Sequence, residues 1–207
     1  MNENLEIFMR SFALKARNAG EAIVDCYKNA VQVNPEHKAK IYKKLGASYE
    51  KRGYSDQAVK VLTKVIEQGM ADAETYSALG KAYLKQGKLE EARKTFEKAV
   101  EVNPDDAISY IELGKIHVVS EALDEAISVF KKGVSVNPES AVNQYHLAVA
   151  YDKQGDHTKA IKHFQKAIEM KPNVPKYHFS LGLTLDSKGD HKGAVESFKK
   201  AIAMERE

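Results

Sequence analysis

The chain repeats itself every 34 residues, and that period constrains its fold more than any other feature. Residues 73–106 show the unit most fully. Tyr76, Leu79, Gly80 and Tyr83 mark its first half, Ala92, Phe96 and Ala99 its second, and Asn103-Pro104 closes it. The same pattern returns, with departures, at 39–72, 107–140, 141–174 and 175–207. A period of this length marks stacked supersecondary units, none of which buries its apolar face alone. The apolar spacing within each half is that of an amphipathic helix. Small residues such as Gly80 and Ala92 let the two helices of a unit approach, while Phe96 and Tyr83 fill the space between them and toward the next unit. Gly87 suits the turn between the helices, where a positive φ is cheap for glycine. Asn103-Pro104 ends the second helix, and Asp105 or Asp106 is placed to cap the next one.

The departures are informative. In 39–72, Tyr42, Leu45, Gly46, Tyr49, Gly53 and Ala58 stand in place, but Leu62 and Val65 replace Phe and Ala, and Met70 replaces Pro. In 107–140, His117 replaces Tyr, Glu121 the turn glycine and Gly133 an alanine. In 175–207, His178 takes the first aromatic position. Residues 1–38 are a degenerate relative that keeps Tyr27, Ala30 and Asn34-Pro35. There Leu5, Phe8, Met9, Phe12 and Ala16 share one helical face, and Ile7 and Leu14 fall on roughly the opposite side. That helix is apolar on two sides, which makes it a poor solvating cap. At the other end Ala203 and Met204 are expected to be partly exposed.

These residues resemble the tetratricopeptide repeat (TPR) family, whose pattern is an aromatic, L-G, Y, A, F, A and P at fixed offsets. The resemblance implies an all-α fold, a right-handed superhelical solenoid of antiparallel helix pairs with a concave face. It predicts an N-terminal pair at 1–38 and five repeats at 39–207. It also implies that the first helix of each repeat lines the groove. On that basis the groove is expected to offer Lys81, Leu84 and Lys85, then Ile108, Ile111 and Lys115, then Tyr145 and Val149, then Phe179 and Leu183. An apolar stripe on an open wall marks a docking surface, because monomers seldom expose large apolar patches. The alternative is that these side chains pack on one another. An amphipathic helix or an extended peptide with apolar anchors suits such a groove.

Lys40, Lys43, Lys44 and Lys51 form a basic entrance on 39–72, read either as a solvated face or as an attraction for an acidic segment or anionic surface. The chaperone-binding TPR class grips a C-terminal carboxylate with Lys and Asn. Here the corresponding positions of the first two repeats hold Ala47 and Ala78, so no such clamp is expected there.

Other chemistries find little support. The net charge is only +3, and aromatic platforms interleaved with Arg are not visible, so nucleic-acid binding has little basis. The single cysteine, Cys26, excludes an internal disulfide and reads as a small buried apolar residue. His157 and His163 are six apart and do not share a face, His146 faces the groove alone, and no metal site is expected. Phosphate-loop, hydrolase-elbow and metalloprotease motifs are missing. No enzyme activity and no cofactor are expected. No apolar run approaches the ~20 residues needed to span a bilayer, and the N-terminus does not read as a signal peptide, so a cytoplasmic protein is expected.

The joint at residues 23–59, IVDCYKNAVQVNPEHKAKIYKKLGASYEKRGYSDQAV, and in particular the run at 24–30, is similar to the magnetosome-associated TPR proteins of magnetotactic bacteria. That resemblance implies a non-enzymatic scaffold that forms homo-oligomers and sits peripherally on the cytoplasmic side of magnetosome vesicles. It implies partners among other magnetosome or membrane-anchored proteins, with no small-molecule substrate, no nucleic acid and no direct membrane insertion. It also places self-assembly in the N-terminal unit, for which Ile7 and Leu14 offer a physical route. The alternatives are a monomeric adaptor for an amphipathic or acidic peptide, and a nucleic-acid or anionic-surface binder working through the lysine patch.

Overall fold

The computed structural model describes residues 35–205. Ile7, Leu14, Cys26 and nearly all of the 1–38 unit lie outside the described residues. Within them the chain forms ten α-helices and no strand. In order they are α1 (Pro35–Lys51), α2 (Ser55–Glu67), α3 (Ala73–Lys85), α4 (Leu89–Val102) and α5 (Ala107–Val119). There follow α6 (Leu123–Val136), α7 (Ala141–Lys153), α8 (His157–Met170), α9 (Pro175–Ser187) and α10 (His191–Met204). Each odd-numbered helix packs on the helix that follows it, and each pair packs on the next. The chain is an all-α TPR solenoid.

The small residues and the aromatics of the repeat meet each other. A Cβ built on Gly80 would lie 2.8 Å from the Phe96 ring, and one on Gly182 would lie 2.6 Å from the Phe198 ring. Gly46 and Gly114 are as tightly placed against Leu62 and Phe130. Phe96, Phe130, Phe164 and Leu62 are the largest fully buried side chains, and the core runs as a line of such residues between the helix layers. Leu62 therefore does in the first repeat what phenylalanine does in the others.

Five of the helix starts are capped by short polar side chains. Asp72 and Thr75 form a reciprocal capping box on α3. Asp106, and not Asp105, caps α5 by accepting from the backbone N–H groups of Ile108 and Ser109. Ser140, Asp156 and Asp190 cap α7, α8 and α10. Gly133, the glycine in place of alanine, has a local cause: a Cβ there would stand 3.2 Å from Tyr110 Cβ and close to Asn143. Asn143 is buried, and its Nδ2 donates to the Gly133 carbonyl at 2.6 Å.

Candidate functional site

The first helices α1, α3, α5, α7 and α9 share one face, and that face separates into two halves of different character. The first half is polar and cross-braced. Lys85 Nζ donates to Glu50 Oε1 at 2.8 Å and to the Glu50 carbonyl at 2.5 Å, tying α3 back to α1. Lys43 Nζ reaches Asp72 at 2.6 Å and so locks α1 to the capping box of α3. Burial raises the Asp72 pKa, but hydrogen bonds from Lys43 and Thr75 outweigh it and leave the carboxyl below its usual range. Lys43 and Lys85 are therefore struts between neighbouring repeats, while Lys40, Lys44 and Lys51 stay exposed and Lys81 is half-buried. Between α1 and α3 lies a cavity of ≈ 460 Å³ whose lining includes Lys44, Lys51 and Arg52 together with Ala47, Ala78 and Leu62. The basic entrance thus comprises three free-standing lysines rather than four.

The second half, on α5, α7 and α9, is apolar and open. Ile108 is 54% exposed, Phe179 51% and Leu183 49%; Val119 and Val142 on the same face are exposed as well. Ile111, Val149 and, from α3, Leu84 are half-buried beside them. These five exposed residues are half of the ten large apolar side chains left exposed among the described residues, which makes this face the main apolar surface. The remainder includes Val195 and Ile202 on α10, where Ala203 is exposed and Met204 half-buried.

Tyr145 does not join that surface, which corrects its expected place as a partner-binding residue. It is only 6% exposed, stacks on Tyr177 at 4.9 Å, tilts against Phe164 and places its hydroxyl 3.3 Å from Ser180 Oγ. The cause is Tyr177. At the equivalent position the three preceding repeats carry Thr75, Ser109 and Asn143, short side chains engaged in capping or backbone contacts. A tyrosine there fills the space that Tyr145 would otherwise face, and the two rings close on each other.

The histidines are placed by packing. His178 Nε2 donates to the Pro172 carbonyl at 2.7 Å in a buried position. His163 stacks on Tyr151 and bonds Gln144 Oε1. His157 and His191 each pair with an aspartate five residues upstream, Asp152 and Asp186. His146 stacks on Phe130 at 5.7 Å and stands edge-on to Tyr145. Burial first, then the charges of Lys115 and Lys176, pushes its pKa down from 6.5 to about 4. Among the described residues no group of three or more His, Cys, Asp or Glu side chains converges as a metal site would require.

The first helices thus present an open apolar stripe, and the comparisons define the class of protein that carries it. Models of the tetratricopeptide repeat match residues 77–141, 144–174 and 175–207, so the chain is a TPR protein-interaction scaffold. Comparison with curated proteins finds no match. Among solved structures, a crystal structure of MamA protein is 30% identical at a TM-score of 0.73, covering 82% of this chain and 92% of its own. A second crystal structure of MamA is 30% identical with TM-score 0.72, covering 78% and 94%. MamA 41-end from Desulfovibrio magneticus RS-1 is 29% identical with TM-score 0.75, covering 82% and 96%. The chain belongs to the MamA family.

Proposed function

We propose that this chain is a non-enzymatic scaffold that self-assembles into homo-oligomers and coats the cytoplasmic side of magnetosome vesicles, held there by other magnetosome proteins. The observation that carries the reading is the exposed apolar stripe on α5, α7 and α9, set beside an N-terminal segment whose sequence is apolar on two helical sides. An open stripe of this kind invites a second apolar helix. Ile7 and Leu14 of one copy supply it to the groove of the next. Such a contact is heterologous, so it need not close and extends into a lattice. Membership in the MamA family supports the magnetosome setting, and no described helix is long and apolar enough to cross a membrane. Recruitment through a partner protein fits that combination.

Light scattering coupled to size exclusion tests the reading. The intact chain is expected to run as oligomers that grow with concentration. Changing Ile7 and Leu14 to Asp, or deleting residues 1–38, is expected to disperse them with helicity retained. A strictly monomeric intact chain would favour a simple peptide adaptor instead. Assemblies that survive both changes would place the contact elsewhere.

A further inference from the structure

On α10, away from the first-helix face, an apolar pair and a set of lysines share one exposed strip. Val195 and Ile202 lie seven residues apart, on one side of the helix, and each is 50% exposed. Lys192 and Lys199 flank them within about 60° at 100° per residue. Lys192, Lys199 and the adjoining Lys200 are exposed, and none of the three has an ion-pair partner among the described residues. Glu196 is the one acidic side chain within the helix. The same offsets recur in the earlier second helices, where the apolar pair is covered. Ile161 and Ile168 of α8 pack against a core that includes Tyr177 and Leu181 of α9. What changes is the charge beside the pair. The first flanking position holds Asp56, Glu90, Asp124 and Thr158 in turn, and then Lys192; only α10 has lysine at both flanking positions. Two of those earlier residues accept a hydrogen bond from the following repeat. Gln86 Nε2 donates to Asp56 Oδ1 at 2.7 Å, and Gln154 Nε2 to Asp124 Oδ1 at 2.6 Å. Lys192 has three donors and no acceptor, so α10 keeps the apolar pair of a repeat junction and reverses the polarity of its clasp.

We propose that this strip of α10 rests on an anionic lipid bilayer, with Lys192, Lys199 and Lys200 at the headgroup phosphates and Val195 and Ile202 against the headgroup layer. Charge complementarity selects this occupant. A further repeat-like helix, from a second copy or another protein, would meet lysine where the internal junctions offer an acceptor. A lipid surface presents anions without fixed geometry, which suits compact ammonium groups on flexible stems. Those stems also lie along the apolar pair while their charges reach outward. So small an apolar area with three cations gives a weak, reversible contact, and stable attachment takes a second signal. The strip therefore orients a scaffold that a partner protein recruits. It belongs to a second helix, so it leaves the first-helix face free. Copies joined through that face would present many such contacts to one membrane. That multiplication rests on the self-assembly proposed above; the lipid contact itself does not.

Co-sedimentation of the intact chain with vesicles tests it, using mixed phosphatidylcholine–phosphatidylglycerol vesicles against pure phosphatidylcholine. The chain is expected to sediment with the mixed vesicles only. Changing Lys192 and Lys199 together to Ala is expected to weaken binding about thirtyfold. Changing Val195 and Ile202 together to Ser is expected to weaken it about tenfold. Both pairs are exposed, so the urea midpoint should stay close to the parent. Changing Lys44 and Lys51 to Ala is expected to leave vesicle binding as it was. The chain has no tryptophan, so Ile202→Trp supplies a local reporter. Its emission is expected to shift to the blue with the mixed vesicles, while that of Val102→Trp, at a comparably exposed site on α4, stays put. Equal binding to both vesicle types, indifference to both α10 changes, or an unshifted Ile202→Trp emission overturns the proposal. Loss of binding on changing Lys44 and Lys51 alone overturns it in favour of α1. Light scattering without lipid separates this contact from assembly. Oligomers that shrink when Val195 and Ile202 become Ser make the occupant a second copy and overturn the lipid assignment. Oligomers that persist without vesicle binding sink this proposal alone, whereas a strict monomer that binds the mixed vesicles supports it and sinks self-assembly.

Discussion

Glu121 holds a φ of 59° at the turn position where Gly53, Gly87, Gly155 and Gly189 hold positive φ. A side chain in that region costs roughly 1–2 kcal/mol, partly offset because glycine is freer in the unfolded chain. Glu121→Gly is therefore expected to stabilise the fold by about 0.5–1 kcal/mol, seen as a higher urea midpoint at unchanged slope. Gly80→Ala should act in the opposite sense, since its Cβ would press on Phe96 at 2.8 Å. Overpacking of that kind costs about 1–3 kcal/mol. The presence of Ala148 at the same position of another repeat points to the lower end. His146 adds a pH term. Its folded pKa of about 4 lies below the ordinary 6.5, so the fold prefers the neutral ring. The stability this group contributes is complete above pH 6.5 and is lost as pH falls toward 4, by ~3 kcal/mol at the limit. His146→Phe, which keeps the stack on Phe130, should flatten the fall in urea midpoint between pH 7 and pH 4.5.

At the scale of the helix pair, the caps and the cross-braces set the stability of each repeat. Asp72→Ala removes a capping box and the partner of Lys43 together. It should cost about 1–2 kcal/mol, the range for loss of such a cap. A thermal melt should also show less dependence on acid, because the depressed Asp72 carboxyl contributes stability that disappears as pH falls through its folded pKa. The helix pairs were legible in the sequence because the 34-residue period carries its own punctuation: turn glycines, Asn-Pro stops and Asp or Ser caps all sit at fixed offsets. What offsets supply is the face a residue occupies, not its depth or its pairing. Phe179 and Tyr145 share a face by offset, yet one is exposed and the other buried, because Tyr177 comes from a neighbouring helix to cover Tyr145. Lys43 and Lys85 read as groove cations for the same reason. Their carboxylate partners Asp72 and Glu50 lie 29 and 35 residues away, beyond what a single repeat reveals.

For the whole molecule, repeat stacking and docking separate cleanly. Solenoid stability is approximately a sum over units and their interfaces. The exposed Ile108 and Leu183 add little to it, whereas Phe179 also packs on Phe198 with ring centres 5.4 Å apart. Changing Ile108 and Leu183 to Glu should leave helicity and urea midpoint close to the parent, while weakening any interaction that depends on the stripe. Charge alone gives little basis for docking, since the net charge of +3 is small and three of the groove lysines, Lys43, Lys85 and Lys115, are paired internally.

The central claim is that one copy's N-terminal segment seats on the next copy's first-helix face. A photo-cross-linking side chain placed at position 7 of the intact chain, in a mixture of mass-labelled and unlabelled copies, tests it most directly. Cross-links between copies that map to α5, α7 and α9 near Ile108, Phe179 and Leu183 are the predicted result. Cross-links confined to a single copy, or joining copies only through the outer face of α10, would contradict it.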